Sequence, residues 1–200
     1  GAGSWVTTLT VLLAGKCYDI SLWAYEKEVA DEIIKTGRNT LYCPDATIPE
    51  AVKVTSRLDV ALINSRYIIN AVPSQHTRSI LKDALPFIPG EAVFVSVSKG
   101  IEKGTYMTVS DIIKNVTKNR VTVLSGPSFA REVVKKLPTA VTLASEDFST
   151  GLLLQEIFTT DYFRVYTHYD IIGVELGGAL KNVMAVAAGI SDGLGLGNNA

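Results

Sequence analysis

Residues 1–26, GAGSWVTTLTVLLAGKCYDISLWAYE, hold the reading on which the fold turns. A glycine turn, Gly1-Ala2-Gly3, leads into a helical pattern over 5–14, and a β-rich run over 18–23 follows at the spacing of a β-α-β unit. Glycines permit a tight bend and let N–H groups at a helix start approach a pyrophosphate, so Gly1 and Gly3 are candidate cofactor contacts. The full G-x-G-x-x-G pattern is not met: Val6 stands at the third glycine position. Alone, the turn reads equally as an ordinary glycine bend. Tyr25-Glu26 at the end of the 18–23 run adds weight, because an acidic residue there accepts bonds from ribose hydroxyls and repels a 2′-phosphate. Glu26 is placed just as well to be a solvated residue in the first turn of the next helix.

Working outward, β-rich runs at 67–72, 92–97, 120–124, 139–144 and 163–167 alternate with helical patterns at 27–35, 75–85, 108–118, 129–135 and 150–159. Such alternation predicts an α/β fold, a doubly wound and mainly parallel sheet with helices on both faces. Pro73-Ser74 and Asp147 are helix-start signals. No strand precedes the glycine turn, so the sheet is expected to lack its first strand. From about 170 to 190 the pattern changes to one long helix, apolar around its circumference and rich in Gly and Ala. That pattern predicts a helix buried on all sides and the start of an all-α domain, continued by protein beyond this chain. The expected division is 1–168 for a dinucleotide-binding domain and 169–200 for the start of a helical substrate domain, the chain being cut at both ends.

The 19 basic and 20 acidic residues nearly cancel, leaving a net charge of -1, which argues against a nucleic-acid partner. Glu175 and Lys181 interrupt the longest apolar stretch, so no membrane insertion is expected. Cys17 and Cys43 read as reduced thiols of a cytoplasmic protein. His76 and His168 lack ligand-spaced partners, and no metal site is expected.

Three places carry candidate chemistry. Lys99 follows the strand 93–98, and ligands gather at the carboxyl ends of parallel strands. The turn Ser125-Gly126-Pro127-Ser128 ends the next strand and opens a helix. Its N–H groups, with the Ser128 hydroxyl, suit a phosphate or another anion, while Ser128 is also an ordinary N-cap. Lys181 shares its helical face with Val174, Gly178, Ala185 and Ala188, which predicts an amine aimed into close-packed surroundings with a lowered pKa, the competing reading being a side chain that snorkels to the surface. Trp5 and Trp23 read as packing residues around the cofactor crevice.

Gly-Ala-Gly-Ser-Trp at 1–5, Ala-Val-Pro-Ser at 71–74, the run 95–102, Leu-Ser-Gly-Pro-Ser-Phe-Ala at 124–130, Leu-Pro-Thr-Ala at 137–140, Tyr-Phe-Arg-Val-Tyr at 162–166, 172–182 and 189–195 together resemble bacterial-type NAD(P)-dependent glycerol-3-phosphate dehydrogenase. The resemblance implies a Rossmann-like fold. It also implies interconversion of dihydroxyacetone phosphate and sn-glycerol 3-phosphate with NAD or NADP, feeding phospholipid synthesis. By the same resemblance Ser4, Trp5, Tyr25, Lys99 and Ala130 contact the cofactor. Lys99, Gly126, Ser128 and Lys181 meet a small phosphate substrate, with Lys181 as proton acceptor. A homo-oligomer is compatible with this reading. Val6 and Cys17 depart from the pattern, each standing where a glycine is common. The alternatives are a nucleotide-binding module without catalysis, or a sister dehydrogenase of a small hydroxyacid.

Overall fold

The computed structural model describes residues 1–197. The helix α1 (Ser4–Ala14) follows the glycine turn, and β1 (Ser21–Trp23) and α2 (Lys27–Thr36) complete the first unit. Short elements then follow: β2 (Arg38–Asn39), β3 (Cys43–Thr47), β4 (Lys53–Thr55) and α3 (Leu58–Leu62). From β5 (Tyr67–Asn70) onward strands and helices alternate: α4 (Ser74–Ala84), β6 (Val93–Ser96), α5 (Val109–Thr117), β7 (Val121–Ser125), α6 (Ala130–Val134), β8 (Thr139–Ser145), α7 (Phe148–Phe158), β9 (Phe163–His168) and α8 (Ile171–Leu194). The expected alternation is present, with boundaries displaced by a few residues. The elements between Arg38 and Leu62 have no counterpart in the sequence reading, being too short to establish a period.

Five strands form one sheet in the order β5-β6-β7-β8-β9, parallel throughout except for the antiparallel β7–β8 pair. β1 pairs with β4 in a separate parallel ribbon, and β2 with β3 in an antiparallel one. Among the described residues no strand bridges β1 and β5. A cavity of about 860 Å³ lies there, lined by Leu22 and Val54 of the ribbon, Tyr67 and Ile69 of β5, and Leu9 and Leu13 of α1.

Burial explains the layering. On one face of the sheet, Val95, Leu124, Leu143 and Val165 pack with Leu9 of α1 and Leu154 and Phe158 of α7. On the other, Phe94 and Val121 pack with Leu81 of α4 and Ile112 and Ile113 of α5. Alternate residues of each strand therefore serve opposite layers, as a pleated strand covered on both faces requires. Asp147 caps α7 by accepting the Ser149 and Thr150 N–H groups, as its position predicts. Pro73 occupies the N-cap position of α4 without a side-chain bond. Cys17 takes the left-handed backbone region at φ 62, which a glycine would adopt without the steric cost that a Cβ brings.

Within this chain the long helix is covered only at its start. Only Ile171 and Glu175 of α8 are buried; beyond Leu180 the apolar side chains Val183, Met184, Val186 and Ile190 are exposed. The start of α8 packs Ile171 and Val174 against Val123 and Ala144, while its later turns extend past the sheet. Apolarity around a helix marks surface that favours burial, but does not say what covers it. By length and composition alone α8 could cross a membrane, yet its buried Glu175 is bonded into the α/β layers.

Candidate active site

Gly3 is the N-cap of α1, with extended backbone at φ -66, ψ 171. The first intrahelical bond runs from Thr7 N–H to Gly3 C=O at 3.0 Å, so the N–H groups of the first turn have no partner within the helix. A Cβ built at Gly1 or Gly3 would meet nothing within 4 Å. The turn therefore has free space beside free donors, which fits a phosphate group.

The back of the turn is held by residues that sequence reasoning did not find. The Asn39 side-chain amide, fully buried, donates to Ala2 C=O at 2.7 Å and to Thr7 Oγ1 at 2.9 Å. The Thr7 hydroxyl in turn donates to Ala2 C=O at 3.3 Å. Val6, the departure at the third glycine position, is 9% exposed and packs among Ala2, Leu22, Ala24 and Val29. Helix α1 thus retains close packing because its neighbours there include two alanines.

Glu26 sits at the N-cap of α2 just past β1 and accepts the Tyr42 hydroxyl at 2.8 Å. Tyr25 is 69% exposed and meets Trp23 edge-on, their ring centroids 6.1 Å apart. Trp23 donates its indole N–H to Ser56 C=O at 3.0 Å. Trp5 packs at a tilt against Phe163.

At the carboxyl end of β6, Lys99 Nζ donates to Gly126 C=O at 3.0 Å, joining two loops at adjacent strand ends. Burial depresses the Lys99 pKa, and the charge of Lys181 depresses it further. Gly126 has φ +153, and a Cβ there would lie 3.0 Å from Val141 Cα and 3.2 Å from Ala140 C=O. Glycine is required at this position because the chain leaving β7 runs directly against the backbone of its paired neighbour β8.

Ser128 does not cap α6; Phe129 holds the N-cap position, and the Ser128 hydroxyl donates to Gly126 C=O at 3.4 Å. The helix begins later than expected because Pro127-Ser128 continue the turn. Ala130 C=O accepts the Thr8 hydroxyl at 3.5 Å, which brings α6 against the helix of the glycine turn.

Helix α8 approaches this cluster through Gly178. A Cβ there would stand 2.7 Å from Ser125 Oγ and 3.5 Å from Lys99 Cγ. Lys181, one turn further, is exposed rather than enclosed; the expectation of a walled amine fails because Ala185 and Ala188 lie on the part of α8 that extends past the sheet. Lys181 is nonetheless close enough to act on the charge of Lys99. The structure thus gathers Lys99, Gly126 and Ser128 at the ends of β6 and β7, with Lys181 of α8 within electrostatic reach of Lys99. Gly1, Gly3, Ser4 and Trp5 lie on the α1 side, linked to Ala130 through Thr8.

Comparison with known proteins matches residues 1–150 to the family model described as NAD-dependent glycerol-3-phosphate dehydrogenase N-terminus, and residues 170–200 to that family's C-terminus. A glycerol-3-phosphate dehydrogenase [NAD(P)+] of Geobacter sp. (strain M21) is 49% identical over 203 residues. The match covers 100% of this chain and 61% of that relative, so the chain spans about three fifths of the length of such relatives. The crystal structure of a glycerol-3-phosphate dehydrogenase from Coxiella burnetii superposes with a TM-score of 0.90 at 38% identity, covering 100% of this chain and 61% of the other. One from Plasmodium falciparum gives a TM-score of 0.90 at 26% identity, covering 98% and 58%.

Proposed function

The chain belongs to the NAD-dependent glycerol-3-phosphate dehydrogenase family, and on that premise we propose that the protein carrying it interconverts dihydroxyacetone phosphate and sn-glycerol 3-phosphate with NADH or NADPH, in the cytoplasm and in the service of phospholipid synthesis. Turnover is assigned to the full-length protein rather than to these 200 residues, with 1–168 as its dinucleotide-binding domain and the segment from 169 as the start of the substrate domain. The observation that carries the reading is Lys99, partly desolvated and bonded to Gly126 C=O, with Gly178 of α8 packed against its side chain and Lys181 of the same helix acting on its charge.

In this reading Gly1, Gly3, Ser4, Trp5, Tyr25 and Ala130 hold the nicotinamide cofactor, which when bound supplies or accepts the hydride at the substrate's central carbon. Gly126 and Ser128 present polar groups to the phosphate substrate. Lys181 gives a proton to the oxygen on the central carbon during reduction and takes it back during oxidation. Lys99, a cation in a partly desolvated position, stabilises negative charge developing on that oxygen. Binding of an anionic substrate favours the charged form of Lys99, offsetting the repulsion from Lys181.

The test is NADH oxidation driven by dihydroxyacetone phosphate in the full-length protein, wild type against Lys181→Ala. Loss of a general acid-base group lowers kcat by ~10²–10⁴-fold, with NADH affinity retained. An unchanged kcat in the variant overturns the proton-transfer role. Nucleotide binding without turnover in the wild type favours a binding module.

A further inference from the structure

Glu175 has no part in the chemistry above, yet it is 7% exposed and carries a carboxylate with two bonds from a single residue. Its Oε1 accepts the Ser110 backbone N–H at 2.9 Å, and its Oε2 accepts the Ser110 hydroxyl at 2.6 Å. Ser110 lies in the first turn of α5, so the carboxylate meets the positive end of that helix. Helix α5 does not depend on it for capping, because the Thr108 side chain already accepts the Asp111 N–H. The grip therefore matters more for the helix that carries Glu175 than for the one it contacts.

The side chains that α8 packs onto the sheet beside Glu175 are apolar, Ile171 and Val174 against Val123 and Ala144, and Gly178 meets Ser125 with no side chain of its own. Such contacts hold a helix down without fixing its roll, since apolar burial has no direction. A two-point carboxylate bond has a direction. On a helical wheel at about 100° per residue, Gly178 lies ~60° to one side of Glu175 and Lys181 ~120° to the same side, ~9 Å further along the axis. With Glu175 gripped by Ser110, Gly178 faces Ser125 and Lys99, and Lys181 follows one turn further along, within reach for its charge to act on Lys99.

We propose that Glu175 is a positioning residue: by its bonds to Ser110 it sets the roll of α8 and so holds Lys181 beside Lys99. This rests on the reading of the two lysines given above. A roll of ~30° carries a side-chain tip ~6 Å from the helix axis through ~3 Å, while a misplacement of ~1 Å at a reacting group can lower turnover by ~10²-fold.

The test compares Glu175→Gln and Ser110→Ala in the full-length protein; the second removes one bond and keeps the fold accessible if the first does not fold. Two readouts are taken. The first is kcat with dihydroxyacetone phosphate against KM for NADH. The second is titration of Lys99 by NMR of isotopically dimethylated lysines, assigned with Lys99→Arg. The expected result is a fall in kcat of ~10-fold or more, KM for NADH within about twofold, and a rise in the Lys99 pKa as α8 moves away. Equal kcat per folded molecule and an unmoved Lys99 titration in both variants overturn the proposal and leave Glu175 a structural residue. If the wild type does not turn over this substrate, the functional reading fails, and the Lys99 titration still decides the role of Glu175.

Discussion

Gly178→Ala probes how closely α8 must sit against the sheet. The added methyl would stand 2.7 Å from Ser125 Oγ and 3.5 Å from Lys99 Cγ. An ordinary contact begins near ~3.4 Å, so the helix or the Ser125 side chain must give by ~0.7 Å. Overpacking of this kind costs about 1–3 kcal/mol. Replacing glycine by alanine inside a helix returns about 0.5–1 kcal/mol through the unfolded chain. The two effects partly offset each other, leaving an expected net loss of about 0–2.5 kcal/mol. Activity has no such compensation. A displacement approaching 1 Å between Lys181 and Lys99 is expected to reduce kcat by ~10-fold or more. The assay is steady-state NADH oxidation with thermal unfolding on the same preparations. Ser125→Ala in the Gly178→Ala background removes the nearest atom and is expected to recover most of the lost kcat. Wild-type kcat in Gly178→Ala, or no recovery in the double variant, would refute the claim that this contact sets the distance between the amines.

Three further outcomes follow from the same geometry. Asn39→Ala strips the fully buried bonds that hold Ala2 C=O and Thr7. It should cost about 1–3 kcal/mol and raise the Kd for NADH, read by fluorescence titration, with little change in kcat at saturating cofactor. Lys99→Met should abolish most turnover yet hold or raise stability at neutral pH, because burial and the Lys181 charge disfavour the ammonium it replaces. The sign follows from linkage. The folded state releases its Lys99 proton at a lower pH than the unfolded chain, so stability rises with pH between those two pKa values. That rise, seen in urea unfolding against pH, should vanish in the variant. Glu102 bonds Arg78 and Thr105, and the Arg78 bond holds its pKa below the usual value. Its contribution to stability should therefore be present above the ordinary glutamate pKa, be lost as pH falls through the lowered one, and be absent in Glu102→Gln.

Much of the architecture was legible from local pattern. The period-two runs and the helical patterns between them are set within windows of five to fifteen residues, and the strands from β5 to β9 and their helices sit where those windows place them. Asp147 was readable for the same reason: a cap acts on N–H groups two and three residues away. Lys99 and the Gly126 turn could be singled out because strand ends in a parallel sheet are where ligands gather, and the sequence shows where strands end.

What closed the site was not legible. Asn39 reaches Ala2 across 37 residues and Glu175 reaches Ser110 across 65, and neither residue belongs to any local period that points to its partner. The antiparallel β7–β8 pair depends on how the chain returns after α6, which composition does not encode. The exposed face of α8 and of Lys181 shows the same limit from the other side. A sequence determines which residues favour burial and which backbone states they adopt, because those preferences are properties of neighbours along the chain. Which donor meets which carboxylate, and how far an amine stands from its counterpart, is decided only when distant segments pack and fix the roll of each helix.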